Sequence, residues 1–488
     1  MSHGLNRPRA TVLSVDVGTS GVRAALFAET GDQIEGAQAM TRRAAGDFVE
    51  LDPDLLVEEV IRTIDELLAV QQSAQIEAIA ISTFWHSLMG VDAAGKPATP
   101  LLTWADTRAL QAAKELRAEF DEREVHARTG CRFHPSYWPA KLCWLKRERR
   151  EQFEATRLWL GFAEYLCLRL FGEPVASVSM ASATGLFDQG ACAWDLQFLE
   201  SLGIGDRVAR INTDTASRLT DSFAARWPAL AEARLVTVVG DGAANNIGGG
   251  CSTKENVALM IGTSGAMRVV HKGEPPSRVS PGLWSYRVDR ERIVVGGALS
   301  DGGGLLEWLV HTLRMDLRDG SLQEQLAALE PDAHGLTILP FWSGERSTGW
   351  RAEARGGIFG LRQDTTNLDI VRAALEAIAY RFALITNALD EIAPGAAIVA
   401  TGNALRSSPV WLQIIADVLG RPVLFGGAPE ASIRGAALLA LEAVGKIANI
   451  EAVPVVVDEV FEPDMQRHAR YREGLARQED LYDRLFDQ

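Results

Sequence analysis

Long apolar runs are missing from this chain of 488 residues, so no stretch reads as a membrane span. An excess of basic residues is also missing. The net charge is −15 and the isoelectric point about 5.1, which argues against nucleic acid or an anionic membrane as the main partner. Cysteine is sparse: Cys131, Cys143, Cys167, Cys192 and Cys251 are odd in number and lack metal-type spacing. Reduced thiols in a cytoplasmic protein are the expectation. Met1 to Ala10 is polar and holds Pro8, unlike a signal peptide. Common catalytic signatures are absent too. There is no Gly-x-x-x-x-Gly-Lys-Ser/Thr loop, no Gly-x-Ser-x-Gly elbow and no His-Glu-x-x-His. Gly248-Gly249-Gly250 and Gly302-Gly303-Gly304 do not fit the dinucleotide-binding spacing.

What is present is a tetrapeptide used twice. Gly18-Thr19-Ser20-Gly21 joins the apolar run Val12 to Val17 to Val22 to Phe27, and Gly262-Thr263-Ser264-Gly265 joins Val257 to Ile261 to Ala266 to Val270. Each reads as a β-hairpin whose turn offers free backbone N–H groups and hydroxyls, with glycines that let the main chain approach an anion. Two ordinary hairpin turns would carry the same residues. Two anion-holding turns far apart in sequence instead suggest two related domains around one polyphosphate.

The rest of the chain supports two halves. A third strand is expected near 34–41. Asp52-Pro53-Asp54 opens a helix with Leu55, Leu56, Val60, Ile64, Leu67 and Leu68 as its apolar face. Ile76 to Ile81 and Leu235 to Val239 read as buried strands, the second delivering Gly240-Asp241-Gly242. In the second half, Thr366 to Ile392 reads as a long helix and Ala396 to Ala400 as a strand entering Thr401-Gly402-Asn403. A helix follows with Ser408 as N-cap and Gly420 past its end, then another over Ile433 to Leu441. The boundary is expected near 245–255, where Gly248 to Gly250 serve as a hinge or allow close packing. The fold class is therefore α/β, with mixed sheets covered by helices.

Two carboxylates stand out. Asp16 interrupts an apolar strand beside the first glycine turn, where a carboxylate is costly unless paired or bound to a cation, and Mg²⁺ suits a site next to phosphates. A structural aspartate bonding its own turn is the alternative. Asp241 sits at a strand end among small residues and is the best general-base candidate, an Asx-turn being its alternative. Trp85-His86 and Trp104-Ala105-Asp106-Thr107-Arg108 combine aromatic faces with a carboxylate and a guanidinium, a mixture that suits a polyol. A histidine after a strand is also commonly a satisfied structural residue.

These motifs, together with Gly344-Glu345-Arg346, Ala354-Arg355-Gly356-Gly357, Trp411 to Asp417 and Glu430-Ala431-Ser432-Ile433-Arg434-Gly435, stand in the order seen in the FGGY carbohydrate kinases. The chain resembles that family from about residue 11 to 450. The resemblance implies two actin-like, ribonuclease-H-like domains, 11–247 and 254–450, with a C-terminal helical extension over 451–488. It implies ATP and a sugar in the cleft between the domains. By the same resemblance Gly18, Thr19 and Ser20 with Gly262 and Thr263 hold phosphates, and Gly402 and Asn403 lie against the adenosine. Asp241 is the base and Asp16 helps hold Mg²⁺. Phe84-Trp85-His86-Ser87-Leu88 and Thr103-Trp104-Ala105-Asp106 look most like gluconate kinases, then xylulose kinases.

The sequence departs from the family pattern in places. Trp85 replaces a usual methionine, Trp138 a small residue or proline, and Asn403 a second glycine whose positive φ Asn tolerates. The two tryptophans are expected to narrow the sugar site. D-gluconate is the leading substrate, its carboxylate met by Arg108 first, or by Arg132 or a protonated His86. Xylulose or another ketose or polyol is the runner-up. A catalytically silent sugar- and nucleotide-binding regulator is the alternative of another class, which the presence of both Asp16 and Asp241 opposes. Family likeness also implies a homo-oligomer, commonly a dimer.

Overall fold

Successive residues of a strand face opposite sides of a sheet, so Val12, Leu13, Val15 and Val17, all essentially inaccessible, require cover on both faces. The computed structural model describes residues 10–43, 48–71, 76–212, 217–315, 320–428 and 430–486. The polar segment from Met1 to Arg9 lies outside them. Strand Ala10–Gly18 pairs antiparallel with Gly21–Ala28, which pairs with Gln33–Arg42. On its other side it runs parallel to Ala78–Thr83, itself parallel to Arg234–Gly240. The short strand Ser217–Arg218 closes that edge of a six-stranded sheet.

The second sheet repeats this plan. Asn256–Ile261 forms a hairpin with Gly265–Lys272 and runs parallel to Ala397–Thr401. Arg292–Leu299 and Trp284–Arg287 extend one side, Val423–Gly426 and Val457–Phe461 the other, giving seven strands.

Helix Pro53–Val70 starts as expected: the Asp52 carboxylate accepts from the N–H groups of Asp54 and Leu55, and Pro53 occupies the first turn. Its buried stripe is Leu56, Val57, Val60, Ile64, Leu67 and Leu68. Leu55 departs from the expected face, being 58% exposed, because it lies roughly 150° around the helix from the middle of that stripe. Helix Asn367–Leu389 is capped by the reciprocal Thr366–Asp369 pair, and helix Pro409–Leu419 stops at Gly420 with φ 66°.

Space and sequence part company at helix Ala431–Ala443. It belongs by position to the second half, yet Ile433, Ala436, Ala437, Leu438 and Leu441 lie in the core of the first sheet. Ser14 donates a 2.7 Å hydrogen bond to the Ile433 carbonyl from the strand beneath. The helix also crosses Asp241–Gly248 with backbone against backbone. A Cβ on Gly435 would stand 1.9 Å from the Ala244 oxygen, and one on Gly248 1.8 Å from the Ala431 oxygen. Close packing, rather than a hinge, thus accounts for Gly248, which ends that helix. Helix Met465–Phe486 packs on the second domain, where Arg372 donates to the Tyr471 hydroxyl and Gln478 to the Ile338 carbonyl. Among the described residues no helix is long and apolar enough to cross a membrane.

Candidate active site

The two glycine turns face each other across a cleft of about 840 Å³ between the sheets. Its lining includes Thr19, Ser20, Gly262, Thr263, Ser264, Trp85, His86, Trp104 and Asp241. In the first hairpin Gly18 pairs with Gly21, leaving Thr19 and Ser20 exposed at the tip. Arg43 fixes that tip from behind, donating to the carbonyls of Gly18 and Thr19 while paired with Glu59 at 2.7 Å. The second tip rests on Gly302-Gly303-Gly304, whose N–H groups donate to Thr263 and Gly262 carbonyls. A Cβ on Gly303 would stand 2.6 Å from the Gly262 oxygen, so these glycines serve a close approach. Beside them Gly402 adopts φ 112° against the Ile261 carbonyl. The positive φ expected at Asn403 falls on Gly402 instead; Asn403 begins the short helix Asn403–Arg406. A larger open groove of about 1110 Å³, lined by Asp52, Asp54, Tyr165 and Arg169, holds neither turn nor Asp241.

Strand Arg234–Gly240 passes directly into helix Asp241–Gly248, so Asp241 occupies the first helical turn, where backbone N–H groups favour an anion. Its Oδ1 accepts from the Gly242 N–H at 2.7 Å. The flanking glycines are needed because two side chains lie on them. A Cβ on Gly240 would meet the Trp85 indole at 1.9 Å, and one on Gly242 the Arg268 Nε at 3.0 Å. Asp241 is thereby framed by an indole and a guanidinium. Burial raises its pKa above the usual carboxylate range, and the charges of Arg268 and Arg346 work against that rise.

Asp16 lies outside the cleft lining, on the strand that leads into the first glycine turn. It lies in register with Arg23 on one neighbouring strand and Ser82 on the other, is 6% exposed, and is 3.4 Å from Arg23 Nη1. Its Oδ1 is buried without a hydrogen-bond partner. Burial pushes its pKa from 3.8 to about 6, and the nearby Asp241 adds to the rise. A pKa higher in the folded than in the unfolded chain means that the folded state binds the extra proton. This stabilising contribution is full below pH 3.8 and is lost as pH rises through about 6. At pH 8 the ligand-free protein should therefore gain on the order of 3 kcal/mol from Asp16→Asn, and little at pH 4. Denaturant midpoints at the two pH values measure this; equal shifts at both would refute it.

The Trp85-His86 segment lies across the cleft floor. The Trp85 Nε1 donates to the Ser179 carbonyl, and its ring meets Tyr286 edge-on at 5.2 Å. His86, with φ 66°, bonds through Nδ1 to the Ala183 carbonyl at 2.8 Å. Burial and the charge of Arg346 hold its pKa well below the usual value, so it is neutral and cannot meet a carboxylate as a cation. Lys141, fully buried, donates to the carbonyls of His86 and Thr103 at 2.7 and 2.6 Å and so ties this segment to Trp104.

Four expected residues, Asp106, Arg108, Arg132 and Trp138, lie outside the cleft lining. Arg108 spends its guanidinium on Asp106 and Glu50 and stacks over Trp144 at 4.6 Å; Asp106 is 1% exposed. Neither lines the cleft, because the short Asp-x-Arg spacing closes them into a local pair. Arg132 is taken by Glu122 and the Pro281 carbonyl. Trp138 is core, donating to the Ser87 carbonyl and stacking with Trp194, so only Trp85 of the two unusual tryptophans reaches the cleft. In their place the cleft holds Arg268, Arg346, Trp284 and Tyr286, none of them given a role from the sequence, although Arg346 stands in the Gly344-Glu345-Arg346 motif. Arg268 carried a readable signal, a charge inside an apolar strand, the same signal that drew attention to Asp16.

Comparison with known proteins agrees with this geometry. Residues 11–248 match the N-terminal domain of the FGGY family of carbohydrate kinases, and residues 257–444 its C-terminal domain. The chain is 30% identical over 474 residues to a gluconokinase of Bacillus subtilis (strain 168), covering 92% of this chain and 91% of that one. Among solved structures, a gluconate kinase from Lactobacillus acidophilus superposes with a TM-score of 0.88 at 25% identity, covering 97% and 98% of the two chains. A xylulose kinase from the same organism superposes with a TM-score of 0.89 at 24% identity over the same shares, a likeness of fold.

Proposed function

Because the chain belongs to the FGGY family of carbohydrate kinases, we propose that it transfers the terminal phosphoryl group of ATP to a hydroxyl of D-gluconate, giving 6-phosphogluconate. One observation carries the reading of the chemistry: Asp241 stands in the same cleft as both hydroxyl-bearing glycine turns, on a helix N-terminus and beside Arg268. Phosphoryl transfer needs positioning, charge neutralisation and an acceptor for the hydroxyl proton. Asp241 takes that proton on a carboxylate oxygen. The N–H groups and hydroxyls of Gly18, Thr19, Ser20, Gly262 and Thr263 bind phosphate oxygens, and Gly402 with Asn403 borders the adenosine. The buried, unpartnered Oδ1 of Asp16 fits a divalent cation. Bound there, Mg²⁺ supplies charge neutralisation at the phosphates.

Gluconate as the acceptor rests on the 30% identity to a gluconokinase. A neutral ketose or polyol is the second reading, favoured by the aromatic wall of Trp85, Trp104 and Tyr286. An assay of ADP release over gluconate, xylulose, ribulose and small polyols decides between them. Gluconate should lead by tenfold or more in kcat/KM, on the order expected when a site pairs a charged group. A neutral sugar leading by that margin overturns gluconate, and no ADP release with any of them favours the silent regulator. The five unpaired thiols support a cytoplasmic setting, and family likeness a homodimer, which light scattering reads.

A further inference from the structure

We propose that Arg268 and Arg346 together form the site that reads the acid end of the substrate, the place first expected for Arg108. This deepens the gluconate reading above and rests on it. The charged residues lining the cleft are Arg43, Asp241, Arg268 and Arg346. Arg43 is balanced by Glu59 and occupied by the first glycine turn. That leaves two guanidinium groups beside Asp241, the one carboxylate in the cleft lining.

Both arginines carry donors that no protein group satisfies. Arg268 is 9% exposed, and its Nε and Nη1 are buried without a hydrogen-bond partner. The Nε of Arg346 is likewise unpartnered. Among the described residues neither forms an ion pair within 4 Å. Unpaired buried donors of this kind are costly, and a guanidinium matches a carboxylate in shape as well as charge. Their placement selects the sugar over the nucleotide. Arg268 lies against Gly242, next to Asp241, and against Gly296, where a Cβ would also meet Trp284, while Arg346 lines the cleft with His86 and Tyr286 and its charge bears on both. These are residues of the aromatic wall and the base, whereas the glycine tips lie at Thr19 and Thr263. His86, held neutral, leaves the two arginines as the cations on that wall.

The arrangement makes Asp241 and the substrate carboxylate share the pair. Arg268 lies nearer the base and counters its burial, and Arg346 takes the acid group. A neutral sugar would leave one guanidinium unsatisfied.

Calorimetric binding of gluconate, D-gluconamide and MgATP to the wild type and to Arg268→Met, Arg346→Met and the two Lys variants tests this. Gluconamide keeps the shape of gluconate and removes its charge. In each Met variant the gluconate dissociation constant should rise roughly tenfold or more, the loss expected for a charged hydrogen bond. MgATP binding should stay within about threefold, and the Lys variants, which keep the charge but not the forked geometry, should lose less gluconate affinity than the Met variants. Unchanged gluconate affinity in the Met variants overturns the proposal. So does an equal loss of MgATP affinity, which would turn the arginines toward the phosphates. If the wild type binds gluconamide as tightly as gluconate, the sugar-acid reading itself fails, a result distinct from either.

Discussion

Asp241→Asn should lower kcat by ~10²-fold or more, up to the ~10⁴ that a positioned general base contributes, while gluconate and MgATP still bind. The substitution keeps the shape of the side chain between Trp85 and Arg268 and its acceptor for the Gly242 N–H, removing only the charge and the ability to take a proton. The wild-type rate should rise with pH through a pKa above 3.8, since burial raises that of Asp241, and then level off. The same limb should vanish from the residual activity of the variant. Steady-state kinetics over pH 4 to 9 read both effects, and a variant with near-wild-type turnover would sink the assignment of the base.

Gly435→Val should be strongly damaging although it lies away from the cleft. Even a Cβ there would stand 1.9 Å from the Ala244 oxygen and 2.9 Å from the Gly248 nitrogen, both backbone atoms that cannot rotate away. The two helices must separate, and the cost is about 3 kcal/mol or more, the upper end for overpacking. Because helix Asp241–Gly248 begins at Asp241, the proposed base, the displacement should lower kcat as well as stability. Gly320→Ala, where a Cβ would meet nothing within 4 Å, is the matched control and should be close to neutral. Denaturation midpoints together with kcat test this. A Gly435→Val protein within about 0.5 kcal/mol of wild type, the spread of ordinary surface changes, would refute it.

Local signals were legible in the sequence wherever one or two residues set the backbone. Asp52-Pro53, Thr366 and Gly420 mark helix ends, and both Gly-Thr-Ser-Gly turns are hairpin tips, because caps and turns are decided by neighbours in the chain. Trp85, His86, Trp104 and Asp241 do meet at one cleft. The failures share a different cause. Arg108 and Asp106 looked like a binding pair, yet opposite charges two residues apart satisfy each other first. Trp138 looked like a wall of the sugar site, yet its partner Trp194 comes from a distant segment. Arg268 and Arg346 come together only across the second sheet and a loop far beyond it, a meeting no local pattern announces.

The placement of helix Ala431–Ala443 orders events on the ribosome. The strands it covers are complete once Gly240 has been made, but their apolar face stays open until Ala443 follows. At roughly 5–20 residues per second, the nascent chain carries that open face for on the order of ten to forty seconds. During that interval the second half is being made while the first is unfinished. The two domains are therefore not two successive folding products, since the first is closed by a helix encoded near the end of the second. A fragment ending near residue 250 would keep Asp16 and Asp241 but lack part of the core that holds them.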